Sequence, residues 1–185
     1  MGKQYSEIHR EHMDFIRKQH LFFVSTAPLS ADGHVNVSPK GYDTLRILSP
    51  TEVAYLDLTG SGNETTGHIE ENERITFMFC AFEGPPQILR LYGNGKVILP
   101  DSEEWGTYIK HFDPLPGIRQ IITANIHRVS TSCGYSVPFM EYVGERETLN
   151  ISNTKKASKL ENYRREKNAK TIDGLDTTIG KNLRS

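Results

Sequence analysis

Apolar positions in residues 5–17 recur at helical spacing. Tyr5, Ile8, His12, Phe15 and Ile16 share one face, while Glu7, Arg10, Glu11, Asp14 and Arg17 cover the other. The pattern predicts an amphipathic helix packed against the rest of the protein. The period then falls to two. Residues 21–26 read as a strand, Pro28 and Asp32-Gly33 supply turn chemistry, and in residues 34–38 Val35 and Val37 alternate with polar neighbours. These two runs predict a hairpin with a long loop.

Further strands are predicted at 44–48, 53–58 and the strongly apolar 74–82, punctuated by Ser49-Pro50 and Gly60-Ser61-Gly62. The short polar stretch 63–72 between the last two suits one brief helix with Asn63 as its N-cap. After Gly84-Pro85-Pro86, residues 88–99 alternate again, and Gly93 within them suggests a bulge. Residues 101–112 give the clearest helix, because Trp105, Tyr108, Ile109 and Phe112 form one stripe and Asp101 with Glu104 suits a capping box. Asp113-Pro114 ends it. A last strand over 119–130 leads into a mixed loop at 131–144. A charged helix at 155–169, anchored by Leu160 and Tyr163, precedes a polar tail expected to be mobile.

About six antiparallel strands with peripheral helices and no βαβ rhythm indicate a mainly β (α+β) protein, a closed or partly closed barrel rather than a doubly wound sheet. Residues 1–150 are expected to form the barrel, with 151–185 a helix and tail of the same domain. Composition agrees. The 185 residues suit one domain, and a hydrophobic fraction of 36% with 24% charged residues suits a soluble one. No apolar run approaches the roughly 20 residues that cross a bilayer, and residues 1–10 carry no secretory apolar stretch, so a cytoplasmic location without membrane attachment is expected. The 22 basic residues balance 23 acidic ones, which excludes a global positive field for nucleic acid.

Chemistry concentrates in Thr59-Gly60-Ser61-Gly62-Asn63-Glu64-Thr65-Thr66, placed between a strand and a helix. Glycines let amides turn toward an anion, the helix N-terminus adds partial positive charge, and Asn63, Thr65 and Thr66 offer neutral donors. Two readings stay open: a phosphate cradle, or a tight connection with an N-cap. The stretch is neither the Walker pattern nor the dinucleotide fingerprint. Lys40, leaving a strand in Val37-Ser38-Pro39-Lys40-Gly41, has no acidic neighbour in sequence and suits a phosphate oxygen or a flavin edge, provided the strand end meets the glycine loop in space. His9 and His12 lack a third ligand and read as solvent-facing, so no metal is assigned. Cys80 and Cys133, far apart, read as free thiols, with Cys133 packed and unreactive.

Three runs resemble the first strands of the pyridoxamine 5'-phosphate oxidase-like, FMN-binding split-barrel proteins: Phe22-Phe23-Val24-Ser25-Thr26-Ala27, Val35 to Gly41, and Val53 to Thr65. Residues 69–76 resemble the helix end and strand start that follow the family's phosphate loop, Cys80-Ala81-Phe82-Glu83-Gly84-Pro85-Pro86 with Leu89-Arg90-Leu91-Tyr92-Gly93 resembles one uncharacterised branch of that family, and Cys133-Gly134-Tyr135 and Glu166 to Gly174 fit the same branch. The resemblance spans nearly the whole chain. It implies a six-stranded split barrel, a homodimer with FMN in the grooves between subunits, and flavin-dependent oxidation or reduction of a small molecule. The implied FMN contacts are Ser38 and Lys40 at the strand end, with Asn63, Thr65 and Thr66 on the phosphate. The isoalloxazine would lie along Tyr55, Leu56, Asp57 and Leu58, near Arg90 and Tyr92. The family's oxidases carry an Arg-Lys pair in the phosphate loop where this chain has Glu64-Thr65, and a closing tryptophan and arginine pattern that has no counterpart in residues 148–185. The same barrel in a non-catalytic role would sequester a flavin, a deazaflavin or a haem.

Overall fold

The computed structural model describes residues 2–183. In chain order the elements are β1 (Gln4–Tyr5), α1 (Arg10–Ile16), β2 (Phe22–Thr26), β3 (Asn36–Lys40), β4 (Leu45–Ser49), β5 (Glu52–Leu58) and α2 (Glu64–Asn72). There follow β6 (Arg74–Cys80), β7 (Ile88–Ile98), α3 (Trp105–Ile109), β8 (Ile118–Ser132), α4 (Thr148–Lys155), α5 (Leu160–Lys167) and α6 (Thr178–Asn182), with a 3-10 turn at Ala157–Lys159.

The strands form one sheet in the order β3-β2-β6-β7-β8-β5-β4, with β1 added on β8. Every named strand pair is antiparallel. The path is not closed, since β3 and β4 are its ends, which is the split-barrel arrangement. The sheet counts eight strands among the described residues against the six or so expected: all seven runs read as strands form, and Gln4–Tyr5 adds a two-residue eighth beside β8.

Alternation decides what the curl encloses. Val24, Phe77, Leu91 and Val129 are opposite one another across four adjacent strands and all point inward, completely buried. Each such side chain contributes about 1.5–3 kcal/mol of burial. Phe22 on β2 meets Tyr55 on β5 edge to face at 5.8 Å across the interior. The other face of β5, β7 and β8 carries a second apolar cluster of Ala54, Leu56, Ile98 and Ile121, covered by Trp105 and Tyr108 of α3 and by Phe112 beyond its end. The bulge anticipated on β7 falls between Tyr92 and Gly93, where a Cβ on Gly93 would stand 2.5 Å from the Asn125 carbonyl oxygen.

Four local expectations are corrected. The first helix starts at Arg10, because Gln4 and Tyr5 pair with β8, and His12 is buried beside Ile8 and Ile16 rather than solvent-facing. Its Nδ1 accepts the His9 amide at 3.0 Å, and the Tyr5 ring packs on it at 4.6 Å. The second correction shortens the helix at 101–112 to Trp105–Ile109. Glu104 pairs with Lys96 at 2.6 Å, and Ser102 bonds back to Leu99, so no capping box forms with Asp101. Third, Cys133 is exposed, just beyond the end of β8. Fourth, the predicted 155–169 helix is shortened to α5 after the 3-10 turn, with α4 ahead of it, and the tail is docked: Asn168 and Thr177 are completely buried, and the Thr177 hydroxyl donates to the Asn168 carbonyl at 2.6 Å. Gly67 on α2 admits this segment, since a Cβ there would overlap the Thr171 methyl.

Candidate functional site

Antiparallel pairing puts Asn36, Ser38 and Lys40 of β3 opposite Thr26, Val24 and Phe22, so these three polar side chains share the inward face of an edge strand. β3 meets β5 at one end and the first turn of α2 at the other. Lys40 Nζ lies 3.1 Å from Asp57 Oδ1 and 5.6 Å from the centre of the Tyr55 ring. Asn36 Nδ2 donates to Thr65 Oγ1 at 3.0 Å, and Ser38 Oγ donates to Asn36 Oδ1 at 3.1 Å.

Asp57 is the hub. Its Oδ2 accepts from Arg119 Nη2 at 2.6 Å, Arg119 Nε at 3.0 Å and Gln120 Nε2 at 2.8 Å. Burial alone would push this carboxyl up, but the Arg119 and Lys40 charges and their hydrogen bonds hold it down at about 2. Tyr55 is driven well above its ordinary value by burial and then by the Asp57 charge, and its hydroxyl faces Thr65 without a well-formed hydrogen bond. Neither group changes charge near neutral pH.

The glycine loop is held by the same network. Gln120 Nε2 also donates to Asn63 Oδ1 at 2.9 Å and Thr66 Oγ1 at 2.7 Å, and Arg119 Nη1 donates to the Gly62 carbonyl at 2.8 Å. Asn63 therefore occupies the N-cap position of α2 with its side chain turned to Gln120 and to the Asn168 carbonyl instead of to the helix amides. Asn63 and Thr66 are committed to internal bonds. The donors that remain are two of the three protons of Lys40, the Thr65 hydroxyl and the backbone amides of Gly60, Ser61 and Gly62, which have no acceptor among the described residues. These donors suit a phosphate, and the open space around Gly60 leaves a cradle for one.

Other candidates are placed elsewhere. Leu56 points into the second apolar cluster under α3, and Leu58 packs against that same cluster. Arg90 and Tyr92 stand on the outer face of β7, opposite in sense to Leu89 and Leu91, with Arg90 Nη1 donating to Ser132 Oγ at 3.1 Å. One chain thus brings Ser38, Lys40, Tyr55, Asp57, Asn63, Thr65 and Thr66 together and leaves Arg90 and Tyr92 outside.

Sequence reasoning missed Arg119, Gln120, Asn168 and the role of Arg164. Arg164 is half-buried, with Nε donating to Thr59 Oγ1 at 2.9 Å and Nη2 to the Ile118 carbonyl at 2.8 Å. Burial and then the nearby Arg119 charge lower its pKa. Arg119 and Gln120 follow Gly117, whose positive φ of 77° turns the chain into β8, and that glycine is the one local hint of a special site.

No helix among the described residues is long and apolar enough to cross a membrane. The family model described as pyridoxamine 5'-phosphate oxidase matches residues 8–133. The chain is 38% identical, over an alignment of 180 residues covering 88% of it and 72% of the relative, to the pyridoxamine 5'-phosphate oxidase family protein ustO of Aspergillus flavus. Its fold resembles HupZ of Group A Streptococcus, with a TM-score of 0.53 and 21% identity over 68% of this chain and 99% of that one. It also resembles a Lactobacillus delbrueckii protein described as a candidate pyridoxamine 5'-phosphate oxidase, with a TM-score of 0.50 and 18% identity over 68% of this chain and 94% of that one. With a relative this similar along most of its length and a family model covering more than half of it, the chain belongs to the pyridoxamine 5'-phosphate oxidase family.

Proposed function

We propose that the protein is a cytoplasmic, FMN-dependent oxidoreductase acting on a small molecule, working as a homodimer with the flavin between subunits. Family membership supports the flavin. The observation that carries the reading is that β3 reaches Asp57 through Lys40 and the first turn of α2 through Asn36 and Thr65, while Lys40, the Thr65 hydroxyl and the Gly60 to Gly62 amides keep donors to spare. Those groups would hold the phosphate. Bound FMN would supply two-electron chemistry. Asp57, ionised at any working pH, fixes Lys40 in place, and the residual positive charge of Lys40, Arg119 and Arg164 around one buried carboxylate favours an anion.

The homodimer rests on the outer sheet face. Val37, Ser25, Thr76 and Tyr92 form one row across it, and Pro39, Phe23, Met78 and Arg90 form the next. Val35 and Val37 at its edge are 67% and 59% exposed. A second copy on this face would bring Arg90 and Tyr92 to a neighbour's loop, completing a set that one chain leaves divided. Sedimentation at micromolar concentration checks this: a dimer is expected, and a monomer carrying flavin overturns the shared site.

The visible spectrum of the purified protein tests the cofactor. A flavin spectrum is expected, bleached by dithionite, restored by air, and extractable as FMN. Colourless protein that takes up no FMN on reconstitution overturns the reading. Residues 1–150 and 151–185 are proposed to act as one domain, supported by Asn168 and Arg164 holding the loop from the carboxyl-terminal side. A non-catalytic carrier of flavin, deazaflavin or haem is the second reading, favoured by the fixed charge states of Asp57 and Tyr55, which leave no acid or base in the cluster. Reduction by one equivalent without turnover distinguishes it.

A further inference from the structure

A wide cavity lies away from the glycine loop. A cleft of about 830 Å³ opens between α1, the 81–87 turn joining β6 to β7, and a strap at residues 140–142. That volume suits a small organic ligand. Its walls are apolar and aromatic, with Phe15 from the helix, Phe82 from the turn and Tyr142 from the strap. Tyr142 lies flat on His20, with centroids 3.7 Å apart and planes 6° from parallel. The strap is fixed to the turn by the Met140 amide on the Phe82 carbonyl at 3.1 Å and the Tyr142 amide on Glu83 Oε1 at 3.3 Å.

Charge decides what such a cleft accepts. Glu11, Asp14, Glu83 and Glu141 line it, and Lys18 is the single ammonium among the lining side chains. Arg17 meets Asp14 at 3.5 Å on the exposed side, so carboxylates still outnumber cations by two to one. Walls of low dielectric focus this negative field into the cleft, and aromatic faces add attraction for a weakly hydrated organic cation. An anion of the same shape would meet repulsion. We infer that this cleft is a second binding site, separate from the proposed flavin site, for a small organic cation: an aromatic or aliphatic amine with its body between Phe15, Phe82 and Tyr142 and its ammonium among the carboxylates. The assignment is independent of the flavin reading, because none of these residues belongs to the Lys40 to Thr66 cluster.

Calorimetric titration of the full-length protein with three indoles of one shape tests the inference: tryptamine as the cation, tryptophol as the neutral form, and indole-3-propionate as the anion. Tryptamine is expected to bind at least tenfold tighter than indole-3-propionate, with tryptophol between, and to weaken as salt rises. Glu83→Gln combined with Glu141→Gln keeps the Tyr142 amide an acceptor and the shape of the rim. It is expected to weaken tryptamine at least fivefold while leaving tryptophol within twofold. Should that variant fold poorly, the order of the three ligands on the wild-type protein stands as the test. Equal binding of cation and anion, or tryptamine binding unmoved in a folded double variant, overturns the inference. Saturating FMN is expected to leave tryptamine affinity within twofold, and competition between them would overturn the assignment to this cleft.

Discussion

Lys40 and Arg119 share one carboxylate, Asp57, with Nζ at 3.1 Å from Oδ1 and Nη2 at 2.6 Å from Oδ2. Asp57 and Arg119 are buried, while Lys40 reaches solvent, and the three residues come from β5, β8 and β3. A single carboxylate therefore ties β3, at one end of the open sheet, to β5 and β8 near the other end, and leaves a surplus positive charge there.

Because Arg119 still neutralises Asp57 when Lys40 is gone, Lys40→Met is expected to move the urea midpoint little and to weaken FMN roughly tenfold to a hundredfold. That range corresponds to about 1.5–3 kcal/mol for a charge-assisted hydrogen bond. Quenching of flavin fluorescence measures it. Riboflavin, which has no phosphate, is expected to lose less, and equal FMN affinity in the two proteins would reduce Lys40 to a structural partner of Asp57.

The same carboxylate sets an acid limit on stability. The folded pKa of Asp57, about 2, lies below its ordinary value near 4, so the unfolded chain takes up the proton first as pH falls. The contribution is complete above pH 4 and is lost between pH 4 and 2, amounting to about 2 kcal/mol. Urea unfolding of wild type and Asp57→Asn across this window gives the difference. The gap between the two proteins is expected to narrow on acidification, and a constant gap rejects the assignment.

The strands were legible because their signal is local. Val24 and Leu91 alternate with half-buried neighbours, and Gly93 marks its own bulge. The sequence posed the meeting of Lys40 with the loop as a condition; in the fold Lys40 reaches Asp57, and Asn36 at the other end of β3 reaches Thr65. What stayed hidden is long-range. Gln120 bonds Asp57, Asn63 and Thr66 from 54 to 63 residues away, and Asn168 reaches Asn63 and Gly60 across more than a hundred. A polar tail with no apolar period carries no sign that backbone and amide groups will dock it. His12 misled for a related reason: helical spacing placed it on the apolar face, yet its polarity suggested water.

Docking of that tail is expected to fail when Gly67 acquires a methyl group. Gly67→Ala should gain up to about 1 kcal/mol of helix propensity, but overlap with the Thr171 methyl costs about 1–3 kcal/mol. The net change is expected to be destabilising. Thr171→Ser removes that methyl and keeps the hydroxyl that accepts the Leu175 amide, so the double variant should recover most of the loss. A thermal-melting double-mutant cycle reads the coupling, and additivity of the two changes would mean that the segment does not rest on Gly67.

Pyridoxamine 5'-phosphate is expected to be a poor substrate or none. Its dianionic phosphate needs convergent cations that are free to bind, because desolvating it without charged partners is unfavourable. Three arginines of the carboxyl-terminal region are the candidates, and the fold disperses them. Arg164, half-buried, is bound to Thr59 and the Ile118 carbonyl. Arg165 pairs with Glu161 one turn away at 2.6 Å, on the surface. Arg146 lies on the exposed segment before α4, where its carbonyl accepts the Tyr42 hydroxyl. Glu64, standing where the family's oxidases carry an arginine, accepts the Ile172 amide at 3.0 Å and adds negative charge to the loop. Aerobic assay with pyridoxamine 5'-phosphate, following peroxide and the absorbance of pyridoxal phosphate, is expected to show no enzyme-dependent rate in FMN-loaded protein. Robust turnover at micromolar substrate would require these arginines to regroup on binding, and would restore the oxidase activity for which the family is named.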